Sequence, residues 1–322
     1  MEENNKKDHL MNYIEDTEKS SNNPIDVNLE NTQQGGNVTK RVSQEEFQSL
    51  SSNWQNIPLN VLPYGKFYQT GTNIFIKPLS SKEIQSFSVV NEESEYDVNV
   101  KLNLLFKTCV QIKFLDGSYG TYRDLMDGDR QTIAILLSRL SAKNGRRISQ
   151  KATTQSGDEI EIEMIPANYV YLQQEEWLDE FFNEETKVYE FSSSDGRSFK
   201  LAPPTIGITE DVNNYALTIS LQSQGKKYPD FSFLKCIPYI KAGNKINSLS
   251  FETLEQEEFN FSKMNDDIFV AIDDAINYLD FGVEKLQKTL DSGETVTAPF
   301  RYPNGARSLF IVPNAFRQFV GK

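Results

Sequence analysis

The sequence predicts an α+β protein: a helical N-terminal part entered through a turn and a strand, then several β-hairpins and one long amphipathic helix. Apolar residues recur at helical spacing in three segments, 81–110, 130–143 and 262–290. After Arg147, Asn, Asp or Ser stands before glycine at the heads of alternating segments, the usual chemistry of hairpin tips. With 322 residues, 38% of them hydrophobic, the chain has the material for a substantial core.

Residues 1–53 are rich in Asn, Gln, Glu and Ser, break at Gln33-Gln34-Gly35-Gly36, and are read as a flexible polar arm with a short helix at 44–50. Order is expected from Trp54. NWQNIPLNVLPYGKFY passes through a Pro-Tyr-Gly turn into NIFIKPL, where alternating Ile74 and Ile76 suit a strand. Ser80 or Ser81 then caps a helix in which Glu83 is placed for a capping box. A second helix, DVNVKLNLLFKTCV, runs to about Val110, and an Asp116-Gly117 hairpin follows. The third helix, RQTIAILLSRLSAK, sets Ile133, Leu136, Leu137 and Leu140 on one face, and Gly145 with the arginines of NGRR closes it. Residues 54–146 thus form the expected N-terminal α+β domain.

Residues 147–322 are the expected hairpin-plus-helix domain. QSGDEIEIEMIP (155–166), SDGRSFKLAPP (194–204) and PNGARSLFIVP (303–313) share one pattern: a small polar residue before glycine, an alternating strand, then proline. They read either as a weak internal repeat or as repeated use of one good turn. The last belongs to RYPNGARSLFIVPNAFRQF, Arg301–Phe319, read as a hairpin with Asn304-Gly305 at its tip. Between the hairpins, TEDVNNYALTISLQSQ and DFSFLKCIPYI are expected to be helical. A helix from Ser262 to Leu290 is predicted by Met264, Ile268, Ile272, Ile276, Leu279, Val283, Leu286 and Leu290, which step by three or four.

Composition removes several function classes. The formal charge of −13 and pI near 4.8 repel a phosphate backbone, so no nucleic-acid partner is expected. MEENNKKDHL lacks the apolar centre of a signal peptide and no apolar run has membrane-spanning length, which predicts folding in a reducing cytoplasm without membrane contact. Cys109 and Cys236 lie in apolar stretches and read as buried thiols. The single histidine, His9, sits in the polar arm, so Ser-His-Asp and Cys-His mechanisms lack an oriented imidazole. Zinc sites of Cys and His fail on the same count, and no cofactor is expected.

Carboxylates are the remaining route to chemistry. Asp127 and Asp129 in MDGDR read as a turn and a helix N-cap, without the other ligands of a calcium loop. Asp266, Asp267, Asp273 and Asp274 fall on the polar side of the expected long helix, and Glu159, Glu161 and Glu163 line one side of a strand. No GxxxxGK[ST] or GxGxxG loop is present.

LPYGKFYQTGTNIFIKPLSSKEIQSFS, residues 62–88, resembles the opening of the baseplate hub and hub-assembly proteins of T-even-type contractile-tailed phages: a "LP…GKFY" turn, a strand, and a Lys-Glu-bearing helix. DGDRQTIAILLSRLSAKNGRRI, residues 127–148, resembles that family's following helix. Relatives often carry C-x-x-C-G knuckles at the later hairpins. Here Thr153 and Ser156 precede Gly157, and Arg301 and Asn304 precede Gly305, so the hairpins resemble zinc knuckles without metal ligands.

The resemblance implies a non-enzymatic protein of the virion baseplate or its assembly, made in the host cytoplasm. Its partners would be other tail and baseplate proteins, with further copies of itself allowed. Aromatic residues near both ends of the fold are the candidate interface anchors: Trp54, Tyr64, Phe67, Tyr68, Phe310, Phe316 and Phe319, each equally suited to its own core. A tail-assembly chaperone absent from the finished particle and a carboxylate-dependent cell-wall glycan hydrolase are the alternatives.

Overall fold

Hydrophobic alternation over short runs and helical spacing over long ones yield a mixed α+β fold of small antiparallel sheets packed with helices. The computed structural model describes residues 53–141, 147–192, 196–302 and 305–310, with only the backbone at 266. The expected arm, its helix at 44–50, the Gly145 turn and the segment beyond 310 lie outside them.

The entry is a four-stranded meander: β1 (Gln55–Ile57), β2 (Asn73–Ile76), β3 (Val110–Lys113) and β4 (Tyr119–Gly120), each pairing antiparallel with the next. Ile74 stands opposite Ile112 and Ile76 opposite Val110, so the inward face is aliphatic where two strands meet. Between β2 and β3 come α1 (Ser81–Phe87) and α2 (Glu95–Cys109). The expected capping box starts α1: the Ser80 hydroxyl accepts from the Glu83 N–H and the Glu83 carboxylate from the Ser80 N–H. On α2, Val98, Leu102, Leu105, Phe106 and Cys109 recur every three or four residues and are all buried. The third expected helix is α3 (Arg130–Ser141), with Ile133 and Leu137 fully inside.

Beyond 147 lie the hairpin β5 (Ser149–Thr153) with β6 (Glu159–Glu163), then β7 (Tyr169–Tyr171). A second hairpin pairs β9 (Val188–Ser192) with β10 (Ser198–Leu201), and β8 (Phe182–Asn183) extends it into a sheet ordered β10-β9-β8. The helices α4 (Ile206–Gln222) and α5 (Phe231–Gly243) realise the expected helical stretch. They are followed by α6 (Phe251–Phe261), capped by Ser250, and α7 (Asp266–Asn277), capped by Asn265. The third sheet, ordered β12-β11-β7, closes the chain with β11 (Val283–Thr289) and β12 (Thr295–Pro299).

Two expectations are corrected. The helix predicted over 262–290 ends at Asn277, and the residues from Val283 form β11 instead. A bulge between Val283 and Lys285 is the reason the pattern misled. In a regular strand, residues three apart face opposite sides; the extra residue restores parity, so Leu286 is buried while Val283 packs partly buried against the same core. The three-four spacing therefore fits a bulged strand as well as a helix.

The hairpin predicted at 301–319 is also not formed over its described part. Gly305 has φ 83°, but Ala306–Leu309 then makes a single 3-10 turn. Ala306 and Leu309, three apart on that turn, are buried, as is Phe310 beside them. Burial of these side chains replaces the strand pairing.

The third hairpin of this type is β11–β12. In the loops at 115–117, 155–157 and 291–293 the same pair of hydrogen bonds recurs: glycine N–H to the carbonyl three residues back, and that residue's N–H to the carbonyl four ahead. This is the three-residue loop with a left-handed glycine, used in three separate sheets. Only glycine accepts that φ without strain.

Residues from both sides of the expected division after 146 share buried contacts. One buried cluster takes Ile74, Leu102, Ile112 and Ile133 from before it and Ile162, Leu286 and Leu309 from beyond it.

Candidate interaction surface

The LPYGKFY turn is the centre of the fold. Tyr64, Phe67 and Tyr68 are 7%, 2% and 5% exposed. The Tyr64 N–H donates to Asp129 Oδ1 at 2.9 Å and the Tyr68 hydroxyl to Asp129 Oδ2 at 2.9 Å, while the Met126 N–H donates to the Tyr68 oxygen at 2.9 Å. The Tyr64 hydroxyl donates to Asp280 at 3.0 Å and accepts from the Phe281 N–H at 3.2 Å. Gly128 lies under the Tyr64 ring so closely that a Cβ there would be 2.0 Å from it.

Asp129 is therefore not the helix N-cap expected from MDGDR but a wholly buried carboxyl that fastens the entry turn. Burial pushes its pKa up to about 7 against the two hydrogen bonds that favour its charge. Burial, reinforced by the neighbouring Asp129 charge, holds the Tyr68 phenol well above its usual pKa. Asp127 pairs with Arg130 and donates its N–H to the Pro204 carbonyl.

Between Tyr64 and Phe67, Lys66 extends into an enclosure of rings. Its Nζ is 4.4 Å from the Phe281 centroid, 4.8 Å from Phe182, 5.3 Å from Tyr189 and 5.5 Å from Phe67. It donates to the Tyr189 oxygen at 2.8 Å and lies 3.9 Å from Asp179. Burial lowers its pKa, opposed by the charges of Asp179 and Glu184.

From this enclosure the rings continue to the surface. Tyr189 stacks on Phe191 at 6.0 Å, and Phe191 meets its cross-strand partner Phe199 at 5.2 Å and Phe181 at 5.3 Å. Phe181 is 6.0 Å from Trp177, which is 5.4 Å from Tyr278. Trp177 and Tyr278 end the series at 45% and 43% exposure.

Local sequence explains the placement. Tyr189, Phe191, Phe199 and Leu201 share one face of the β9–β10 ladder, and Glu190 and Lys200 pair at 2.8 Å on the other. In the 3-10 turn Glu176–Phe181, buried Leu178 anchors the segment and leaves Trp177 outward. Tyr278 follows the last turn of α7, whose Ile272 and Ile276 are buried. Glu175, Glu176, Asp179 and Glu180 surround Trp177 in sequence and are exposed.

The sequence-predicted anchors fall elsewhere. Tyr64, Phe67 and Tyr68 belong to the interior, as does Phe310, whose ring packs edge-on at 4.9 Å against Phe87. Trp54 is half-buried with Lys77 Nζ 5.4 Å from its ring. Phe316 and Phe319 lie outside the described residues. The surface that is present was missed: EEWLDEFF holds Leu178, Phe181 and Phe182 beside Trp177 as well as four carboxylates, and nothing local says which of them stays outside.

The other sequence candidates are accounted for. Asp273 pairs with Lys235 at 2.6 Å, Glu159 with Lys151 at 2.8 Å and Glu163 with Arg139 at 2.9 Å. Cys109 and Cys236 are buried free thiols, each pushed up to about 11 chiefly by burial. No group of three or more His, Cys, Asp or Glu placed to hold a metal occurs among the described residues. Comparison with protein-family models, curated proteins and solved structures finds no match to this chain.

Proposed function

We propose that the chain is a phage virion structural or assembly protein, a baseplate hub component of a contractile tail, that acts through protein–protein interfaces and performs no catalysis. The carrying observation is the aromatic surface ending in Trp177 and Tyr278. Two large exposed rings rest on a continuous base of packed rings, the arrangement in which binding energy concentrates. Pre-ordering such side chains on a rigid base reduces the entropy lost on association. The LPYGKFY motif, on which the phage resemblance rests, supplies part of that base through Lys66 and Phe67.

The chain works in the finished baseplate or, in the alternative of the same class, as a tail-assembly chaperone. Mass spectrometry of purified particles and of infected-cell complexes separates the two. Stoichiometric presence in virions supports the component; presence only with tail proteins in lysates supports the chaperone; absence from both overturns the reading.

One cleft of about 530 Å³, lined by Glu92, Glu93, Glu95, Asp127 and Arg130, keeps the glycan-hydrolase reading in view. Two of those carboxylates are engaged within the chain, Glu92 by the Arg307 N–H at 2.6 Å and Asp127 by Arg130. Purified protein is expected to leave peptidoglycan intact. Release of reducing ends that is lost in Glu93→Gln or Glu95→Gln would establish the hydrolase instead.

A further inference from the structure

We infer that the occupant of the Trp177–Tyr278 surface is a cationic segment of another protein, its arginine or lysine side chains seated over the two rings and paired with Glu175, Glu176 and Glu180. The inference rests on the interface reading above and specifies the chemistry of the partner.

The first support is charge. Glu175, Glu176 and Glu180 are exposed and pair with no cation among the described residues, and Asp274, exposed, precedes Tyr278 by four positions at the end of α7. An aromatic face carries negative quadrupole density, so rings and carboxylates draw the same kind of ligand. Apolar rings alone would suit any greasy partner; rings bordered by unpaired carboxylates select a positive one.

The second support is one layer below. Lys66 sits among four rings with Asp179 at 3.9 Å, so the chain already solves the problem of holding an ammonium with rings and a carboxylate. The outer end repeats the two components, and among the described residues no Lys or Arg lies over Trp177 or Tyr278. A second copy of the chain is a poor occupant, because an isologous contact would set the same carboxylates against themselves within a molecule of net charge −13.

The test uses the full chain and a tetra-arginine peptide as probe, with tetra-glutamate as control, followed by calorimetry and by Trp177 fluorescence in a Trp54→Phe background. Saturable, salt-sensitive binding of tetra-arginine alone is expected. It should weaken about tenfold or more in Trp177→Ala and in the combined Glu175→Gln, Glu176→Gln, Glu180→Gln variant. Equal weakening by Glu252→Gln with Glu255→Gln on α6 would reveal unspecific attraction and overturn the inference, as would no binding at all. A dimer dissolved by Trp177→Ala would overturn it in favour of a second copy. Stoichiometric presence in virions without peptide binding sinks only this inference, whereas peptide binding by a chain absent from virions and tail complexes sinks only the proposed function.

Discussion

Asp129 carries the sharpest single-residue consequence. Its carboxyl is buried, has the Tyr64 N–H and the Tyr68 hydroxyl as its hydrogen-bond partners among the described residues, and titrates at about 7, so the folded chain keeps a proton that the denatured chain releases near pH 4. With the folded pKa above the unfolded one, the contribution to stability is complete below about pH 4 and is lost as pH rises through 7. Wild type should therefore lose stability relative to Asp129→Asn, on the order of 2–3 kcal/mol between pH 5 and pH 8. Urea midpoints of both proteins at the two pH values provide the measurement. Parallel pH profiles would show that Asp129 does not titrate in that range. What this carboxyl does could not be read from the sequence, because MDGDR is good turn-and-cap chemistry locally and the two tyrosines that claim Asp129 lie 61 and 65 positions away.

Among elements, the hairpin loops and the Gly128 contact separate two reasons for a glycine. Gly293 closes the β11–β12 loop at φ 84° with open space around it, so Gly293→Ala should cost only the backbone strain, roughly 1 kcal/mol. Gly128 lies against the Tyr64 ring, and Gly128→Ala must displace that ring from its bonds to Asp280 and Phe281. A loss of about 3 kcal/mol or more is expected there. Chemical denaturation of the two variants checks the order; a smaller loss at Gly128 would mean that the entry turn adapts. The loops at Gly117 and Gly157 were legible in the sequence because turn chemistry is local. The identity of β11 was not legible: Val283, Leu286 and Leu290 fit a helix as well as a bulged strand, and the loop at 291–293 was not read as a hairpin tip.

For the whole molecule, the entry turn and the 3-10 turn at Ala306–Leu309 both tie distant parts together. Tyr64 bonds Asp280 and Phe281 across more than two hundred residues, and the Arg307 side chain donates to the Val90 carbonyl at 3.1 Å. A core crossing position 146 and ties of this kind predict one cooperative unfolding event. The two tryptophans stand on either side of that position, so Trp54→Phe and Trp177→Phe proteins report the two parts separately by fluorescence. Their urea midpoints, each compared with far-UV circular dichroism of the same protein, should coincide. Separated fluorescence and circular dichroism transitions would support the two-domain division.

What the sequence determined by itself was what neighbours in the chain decide: the Ser80–Glu83 capping box, the presence of α2 and α3, the Ile74–Ile76 strand and the turns at Gly117 and Gly157. These depend on spacing and backbone preference over a few residues. Tertiary structure alone decided which aromatics are spent inside and which remain outside. Tyr64, Phe67, Tyr68 and Phe310 went into the core and Trp177 and Tyr278 stayed at the surface, although all six are large aromatic residues. Burial is settled by partners brought together from far along the chain, and no local pattern contains them.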